Sequence, residues 1–237
     1  MALDPTKPLP KALFDALIKV DTPTICNALE VVMGSRTATG FTRKPFVATE
    51  PLARLVGFAR TATIRAASPG SMTAEEKERR RLAYYDHVAS GPGPQITVIQ
   101  DLDSEPGVGA FWGEVNSAVH HGLGVSGCIT NGSVRDLGDL TQGFPILAGC
   151  LTPSHAWVHI VDIACEVEIF GMPVHDGDLI HADRHGAVTL PASVADAIPD
   201  AIALCARKEA VLIAAARAGN FTPAKLRAAW AEMKKVV

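Results

Sequence analysis

The chain has 237 residues, of which 48% are hydrophobic and 20% are charged. This composition is typical of a folded domain and excludes a disordered or collagen-like chain. The 22 basic and 25 acidic residues give a net charge of −3, and aromatic residues make up only 5% of the chain. A nucleic-acid partner is therefore not expected, because neither a basic surface nor a stacking platform is indicated.

No segment combines the length and the hydrophobicity that a bilayer-spanning helix requires, so no membrane partner is expected. The beginning of the sequence lacks the charged start and apolar run of a signal peptide. Five cysteines occur singly, without any Cys-x-x-Cys pair. This usage predicts reduced thiols, mostly buried, and a cytoplasmic location.

The first half of the chain predicts an arm, a pair of helical pieces and the beginning of a sheet. The predicted elements are a proline-containing arm over residues 1–10, helical pieces over 11–33 divided at Asp21-Thr22-Pro23, a strand over 54–66, a charged helix over 73–89 and a strand over 95–100. Thr73 and Glu76 have the spacing of a capping box, which predicts where the charged helix begins.

The second half alternates short helices and strands before it ends in alanine-rich helices. The predicted elements are a helix over 114–122, a strand over 125–130, a turn over 131–133, a helix from about 136 to 143, a strand over 144–149, strands within 157–190, and helices over 193–218 and 222–235. Together they predict an α/β protein with a mixed sheet and helices at both ends.

The most informative block covers residues 111–139, where a helix, a strand and a loop follow one another. In such units ligands bind at strand carboxyl ends and beside helix N-termini. Arg135 and Asp136 directly follow the Asn131-Gly132 turn, and they offer a carboxylate clamp beside an oxygen ligand for a hard cation. A surface ion pair in which Asp136 caps a helix would explain the same residues, so both interpretations stay open.

The beginning of the predicted helix at Gly113-Glu114 is a second part of this candidate site. The free amides of Val115 and Asn116 can receive an anion there. Glu114 in a first helical turn is also explained by its favourable interaction with the helix dipole.

A histidine-rich segment, His181-Ala-Asp183-Arg-His185, offers an alternative metal site. On a continuous strand the three side chains would share a face and could bind zinc. The composition of Asp183-Arg-His-Gly186 instead favours a turn, which would break that face. The sequence Gly122-Leu-Gly124-Val-Ser-Gly127 has the glycine spacing of a dinucleotide-binding loop, but it follows a helix rather than a strand. It is therefore interpreted as a helix C-cap and turn.

At this point the central block resembles a known family. Gly113-Glu114, twenty further residues, Arg135-Asp136 and then Asp139 are similar to the RraA-like superfamily. More narrowly, the block resembles the class II, metal-dependent 4-hydroxy-4-methyl-2-oxoglutarate/4-carboxy-4-hydroxy-2-oxoadipate aldolases. Further similarity lies in the segments that begin at Asp21, Gly143 and Asp176. The resemblance covers roughly residues 20–220.

The resemblance implies a swivelling β/β/α fold with helical extensions at both ends. It divides the chain into an N-terminal arm and helix over 1–20, a catalytic domain over 21–220 and a C-terminal helix over 221–237. It also implies a homotrimeric ring, or a homohexamer, with active sites at subunit interfaces.

The resemblance further implies Mg²⁺ or Mn²⁺ held directly by Asp136, with Glu114 holding some of the metal's waters. A C-terminal glutamate of the neighbouring subunit would hold others. Its distance before Ala218-Gly219 makes Glu209 the expected residue.

The implied substrate is a 4-hydroxy-2-oxo acid, which is cleaved to pyruvate and a second carbonyl compound. Arg135 and the amides of Val115 and Asn116 would grip its pyruvoyl end. A cation on the former carbonyl oxygen would stabilise the pyruvate enolate, and Glu114 and Glu209 would hold a water that takes the hydroxyl proton. The same chemistry predicts oxaloacetate decarboxylation as a side activity.

Two alternatives belong to the same superfamily: a non-catalytic regulator of ribonuclease activity, and a lyase for a sugar-derived acid. Such regulators lack the metal-ligating Asp after the Arg, whereas this chain has Asp136. Some residues depart from the family pattern. Asn131 replaces a commoner Asp, and Tyr84-Tyr85 and residues 152–159 are expected to line the pocket and to bear on substrate choice.

Overall fold

The observed elements form the expected mixed α/β architecture over residues 3–237, the part of the chain that the computed structural model describes. Residues 1–2 of the predicted arm lie outside this range. The helices are α1 (Lys11–Leu17), α2 (Thr22–Met33), α3 (Ala74–Ala89), α4 (Glu114–Gly122), α5 (Ile198–Arg217) and α6 (Pro223–Met233), with a 3₁₀ turn over Ala195–Ala197 before α5.

Most of the strands belong to one curled sheet. The strands are β1 (Val47–Ala48), β2 (Leu55–Arg65), β3 (Gln95–Asp101), β4 (Val125–Thr130), β5 (Ser133–Val134), β6 (Ile146–Ala148), β7 (Cys150–Leu151), β8 (His159–Ile163), β9 (Val167–Ile169), β10 (Met172–Val174), β11 (Leu179–Asp183) and β12 (Gly186–Leu190). The order in the main sheet is β1-β6-β4-β3-β2-β11-β12, with β8 also paired to β2. β2, β3, β4 and β6 are parallel neighbours.

Strand β2 is the long central strand that joins the two halves of this sheet. One of its edges pairs with β3 from Phe58 to Ile64, while its other edge is shared by β11 and then β8. Between these two partners the loop at Asp176–Asp178 supplies the missing hydrogen bonds, because Ala59 N–H donates to Asp178 O at 2.8 Å and Thr61 N–H donates to the Asp176 carboxylate at 2.9 Å. The backbone polar groups of the buried strand are satisfied in this way.

The faces of the sheet bury different sets of side chains, because alternate strand residues point to opposite sides. Helices α3 and α4 cover one face, where Tyr84, Phe111 and Trp112 are buried. The β9–β10 hairpin covers part of the other face, and α1, α2 and α5 close the end formed by β11 and β12. No helix within residues 3–237 is long and apolar enough to cross a bilayer.

Helix α3 begins as its sequence predicts. The Thr73 hydroxyl accepts a hydrogen bond from Glu76 N–H, and the Glu76 carboxylate accepts one from Thr73 N–H, so the capping box is confirmed. The cysteines are less buried than expected. Cys128 is fully buried, whereas the other four are only partly buried, and all five are free thiols.

The predicted helix over 136–143 is wrong. This segment consists of turns, and Asp136 has a positive φ of 56°, which a right-handed helix cannot include. Its carbonyl accepts a hydrogen bond from Asp139 N–H at 2.9 Å, which closes a tight turn instead. Aspartate tolerates this left-handed conformation better than most residues.

The zinc interpretation of His181, Asp183 and His185 is also wrong. His181 is buried, and its Nε2–H donates to main-chain carbonyls of residues 17 and 20, which leaves Nδ1 to accept from the Thr22 hydroxyl at 3.0 Å. Asp183 accepts from Thr22 N–H, and His185 lies past the strand end in a turn. These residues join α2 to β11, and no group of three potential ligands occurs among residues 3–237.

A buried histidine connects α3 and α4 on the first face of the sheet. His120 Nδ1–H donates to Asn116 O at 2.6 Å, so Nε2 accepts from the Tyr84 hydroxyl at 2.7 Å. Burial lowers the pKa of His120 to about 4. Its imidazole therefore stays neutral in the folded protein near neutral pH.

This burial predicts a pH-dependent stability. The unfolded chain takes up a proton at this histidine below pH of about 6.5, whereas the folded protein resists protonation down to a pH of about 4. The free energy of unfolding should therefore fall as the pH is lowered through this window. Replacing His120→Gln should reduce that slope in urea unfolding at a series of pH values, whereas His121→Gln, at an exposed position on the same helix, should not. Equal slopes in His120→Gln and the unsubstituted protein would contradict this account.

Candidate active site

The candidate site residues of the central block surround one open cavity of about 510 Å³. Its walls are α3, the beginning of α4, the corner at Arg135–Asp136, and the segment 155–158. Two of its walls, at α4 and at Arg135–Asp136, belong to the segments that follow the carboxyl ends of the parallel strands β3 and β4. Such edges are the usual ligand sites in sheets of this kind.

A short backbone bridge fixes the corner beside α4. Trp112 and Val134 form an isolated parallel bridge, and Arg135 N–H donates to Trp112 O at 3.0 Å. The segment after β4 is thus strapped to the residues immediately before α4. Trp112 and Val134 are not neighbours in the sequence, so their contact depends on the tertiary fold.

The Asp136 carboxylate touches both parts of the predicted site. Its Oδ2 accepts from Glu114 N–H at 3.3 Å and lies 3.5 Å from Arg135 Nε. The side chain is 35% exposed, and Oδ1 has no hydrogen-bond partner within residues 3–237. Oδ2 is therefore held in place, while Oδ1 is available to bind a cation or a hydrogen-bond donor.

Gly113 lies so close to the corner that a side chain there would force the corner to shift. A Cβ atom at this position would lie 2.5 Å from Asp136 Oδ2 and 3.3 Å from Arg135 Cγ. The backbone of Gly113 is extended, so the constraint is one of space and not of an unusual φ.

The first turn of α4 forms part of the cavity wall. The N-cap residue Gly113 has no side chain that could cap the helix, and the Glu114 amide donates instead to the Asp136 carboxylate. The residues that carry the next two amides, Val115 and Asn116, also line the cavity. Unsatisfied amides at a helix N-terminus attract anions.

Helix α3 holds this first turn through one hydrogen-bonded side chain. The Tyr85 hydroxyl donates to Asn116 Oδ1 at 2.8 Å, and Asn116 Nδ2 donates to Phe111 O at 2.5 Å. Burial raises the pKa of Tyr85, which keeps the hydroxyl protonated as a donor. Tyr85 lines the cavity as expected, whereas Tyr84 does not, because it is buried against His120.

The segment 155–158 closes the opposite side, so part of the 152–159 stretch lines the cavity as expected. His155 Nδ1–H donates to Ala156 O at 2.9 Å, and Ala156 has a positive φ of 44°. A left-handed alanine is uncommon and marks a backbone that its surroundings hold in place. Trp157 is 55% exposed and gives the cavity an apolar rim.

The side-chain amide of Asn131, which replaces the commoner Asp, makes two hydrogen bonds to the backbone of Asp101. Its Oδ1 accepts from Asp101 N–H at 2.7 Å, and its Nδ2 donates to Asp101 O at 3.0 Å. A carboxylate at this position could make only the first of these bonds. The departure therefore stabilises the junction of β3 and β4 below the site and does not change the lining of the cavity.

Glu209 is not brought together with the other predicted residues within this chain. It lies on α5, where Asn27 Nδ2 donates to its carboxylate at 3.4 Å, and it borders a different surface depression. Its predicted role in a neighbouring subunit therefore stays a prediction.

The oxygen donors of the cavity suit a hard divalent cation. Asp136 and Glu114 supply carboxylates on one side of the cavity, whose lining includes no cysteine. Mg²⁺ and Mn²⁺ prefer such oxygen ligands and keep several waters, so one direct carboxylate and a second nearby are adequate. The residues present fit the implied metal.

Two lining cations were not predicted from the sequence. Lys77 and Arg81 lie on α3 and face the cavity together with Tyr85. The positions are four residues apart, the spacing of one helix face, and Tyr84 and Val88 bury the adjoining face. That pattern is visible in the sequence, but nothing in it shows which cavity the face meets.

Comparison with known proteins agrees with this fold. The family model described as RraA-like: Aldolase/RraA matches residues 22–189. No curated protein matches the chain.

Several solved structures have a similar fold. An uncharacterised protein from Pseudomonas syringae pv. tomato str. DC3000 has a TM-score of 0.72 at 20% identity, with 94% of this chain and 96% of that chain covered. A protein described as a novel cellulase, from microbes associated with the gut ecosystem, has a TM-score of 0.71 at 16% identity, with 87% and 90% covered. RraAS2 of Streptomyces coelicolor, described as an unusual member of the RNase ES inhibitor RraA protein family, has a TM-score of 0.64 at 22% identity, with 90% and 98% covered. At these identities the likeness extends to the fold alone.

The close contact at Gly113 predicts the effect of one added methyl group. Gly113→Ala should lower the free energy of unfolding by about 1–3 kcal/mol, because the corner must move to admit the new atom. Gly138→Ala, in the same loop as Asp136 but with no atom within 4 Å of its added Cβ, is the matched control and should be near neutral. Chemical denaturation of both variants measures the difference. An unchanged stability for Gly113→Ala would contradict the described packing.

Proposed function

This chain belongs to the RraA-like family, and we propose that it is a divalent-metal-dependent lyase for 4-hydroxy-2-oxo acids. The products are pyruvate and a second carbonyl compound, as in the class II aldolases of the family. The observation that carries the proposal is the convergence of Arg135, Asp136 and the beginning of α4 on one cavity. A cation site, a guanidinium and helix amides together match the charge of a 2-oxo acid.

Arg135 and the α4 amides bind and orient the substrate. The guanidinium of Arg135 lies beside Asp136 and faces the cavity, so it can pair with the carboxylate next to the 2-oxo group. The amides of Val115 and Asn116 donate hydrogen bonds to the oxygens at the same end of the substrate. Tyr85 keeps these amides in position through the Asn116 side chain.

The bond that breaks is the one between C3 and C4 of the substrate. Its electron pair moves toward the 2-oxo oxygen while the 4-hydroxyl loses its proton and becomes a carbonyl. Asp136 would hold Mg²⁺ or Mn²⁺ directly, with further support from Glu114, and the ion would supply Lewis-acid stabilisation of this charge. Arg135 adds fixed positive charge at the same end of the substrate.

Glu114 assists removal of the proton from the 4-hydroxyl. Its carboxylate is exposed at the cavity and can hold a water that takes the proton from the 4-hydroxyl. A proton returned to C3 then completes pyruvate. Oxaloacetate develops the same charge when it loses carbon dioxide, so its decarboxylation is the expected side activity.

The proposed assembly is a homotrimer or a homohexamer, in which Glu209 of one subunit reaches the cavity of the next. Its separation from the Asp136 cavity within one chain agrees with this arrangement. Exposed apolar side chains on α5 and α6, such as Ile213 and Trp230, provide surface that another subunit can cover.

A second candidate function is a non-catalytic regulator, since RraAS2 has a similar fold and is described as belonging to an inhibitor family. The carboxylates of Asp136 and Glu114 in the cavity favour the enzyme, because a binding regulator has no use for a cation site. A lyase for a sugar-derived acid uses the same residues and differs only in the second half of the substrate.

Pyruvate release tests the proposal directly. The protein is incubated with 4-hydroxy-4-methyl-2-oxoglutarate or oxaloacetate and Mg²⁺, with and without EDTA. We expect release that EDTA abolishes, and a decrease in kcat/KM of about 10³-fold for Asp136→Ala, because several kcal/mol of charge stabilisation are lost. Arg135→Gln should lower it by about 10²-fold.

Asp86→Asn is the control, since Asp86 is exposed on α3 and does not line the cavity. Glu209→Gln in the same assay tests the contribution of the neighbouring subunit. Activity that survives both EDTA and Asp136→Ala would contradict the metal-dependent mechanism. Absence of release from either substrate would contradict the assigned substrate class.

A further inference from the structure

We propose that Lys77 and Arg81 form a second anion subsite, which binds the distal carboxylate of a dicarboxylic 2-oxo acid. The inference rests on the proposed function, because it takes the Arg135–Asp136 corner as the site of the pyruvoyl end. It adds the residues that select the other end of the substrate.

The helical position of both residues directs them to the cavity. Lys77, Arg81 and Tyr85 are spaced by four residues, so they lie along one face of α3. Tyr85 is bonded to Asn116 of α4, and Tyr84 is buried beneath, so the rotation of the helix is fixed. Both basic side chains line the same cavity as Arg135 and Asp136.

Neither cation is neutralised by a carboxylate of its own helix. Within residues 3–237 the side chain of Arg81 has no ion pair or hydrogen bond, and the side chain of Lys77 donates only to the carbonyl of Pro69. The acidic side chains Glu75, Glu78 and Asp86 border a separate depression on another face of α3. The cation face and the acid face of the helix are therefore separate.

With a divalent cation bound, the charge of the cavity would exceed what a monocarboxylate balances. Lys77, Arg81 and Arg135 oppose the carboxylates of Glu114 and Asp136, and a bound divalent cation would add further positive charge. A substrate with two carboxylates balances this excess better than one with a single carboxylate.

The shape of the cavity agrees with the same assignment. Its volume of about 510 Å³ is larger than a three-carbon acid fills. Lys77 and Arg81 belong to the α3 wall, whereas the pyruvoyl end is assigned to the α4 and Arg135 wall. Trp157 and Val158 supply apolar lining, which suits the carbon chain between the two carboxylates.

Binding of two uncleaved acids tests this subsite. Isothermal titration with Mg²⁺ present compares 2-oxoglutarate, a dicarboxylate, with 2-oxobutanoate, which has the same 2-oxo acid end and one carboxylate. The double variant with Lys77→Gln and Arg81→Gln should weaken 2-oxoglutarate binding by about tenfold, the effect of one or two lost charge-assisted contacts. Binding of 2-oxobutanoate should change by less than about twofold.

Two further variants separate charge from folding. Arg79→Gln, on the acid face of α3, should bind both acids as the unsubstituted protein does. Arg81→Lys, which keeps the charge, should retain more 2-oxoglutarate affinity than Arg81→Gln. Equal losses for both acids in the double variant, or no loss for 2-oxoglutarate, would overturn the subsite.

The outcomes also separate this inference from the lyase proposal. Selective loss of 2-oxoglutarate binding without any pyruvate release would support the subsite and overturn the lyase. Pyruvate release without selective loss would support the lyase and overturn the subsite. No binding of either acid by the unsubstituted protein would overturn both.

Discussion

The Arg135–Asp136 corner packs directly against the beginning of α4 at Gly113. Asp136 Oδ2 accepts the Glu114 amide at 3.3 Å, and a Cβ at Gly113 would come within 2.5 Å of the same oxygen. This one contact places a guanidinium, a carboxylate and a helix N-terminus around a common space. The left-handed backbone of Asp136, with φ of 56°, turns the chain so that the contact can form.

The neighbouring helix α3 makes that arrangement rigid. Tyr85 holds the Asn116 side chain, and Tyr84 holds His120 one turn further along α4. Burial lowers the pKa of His120 to about 4, so the imidazole remains a neutral link in the core. Arg81 lies on the same face of α3 as Tyr85. Helix α3 therefore both supports the site and supplies a positive charge to the cavity.

Local patterns predicted the parts of this protein that depend on neighbouring residues. The capping box at Thr73 and the beginning of α4 at Glu114 were both predictable from the local sequence. The helix expected from Asp136 to Gly143 was wrong, because the Trp112 bridge and the contact at Gly113 impose a turn that local propensity does not encode. The role of Arg81 was missed for the same reason, since only the tertiary fold shows which cavity its helix face meets.

The net charge of −3 gives no general attraction for acidic substrates, so binding must depend on the local field of the cavity. The most direct test of that claim is a crystal structure of the protein grown with Mn²⁺ and oxalate, with the metal located by its anomalous scattering. The account predicts Mn²⁺ on the Asp136 carboxylate, with oxalate between the metal and the Arg135 guanidinium. Mn²⁺ at another position, or oxalate bound away from Arg135, would contradict it.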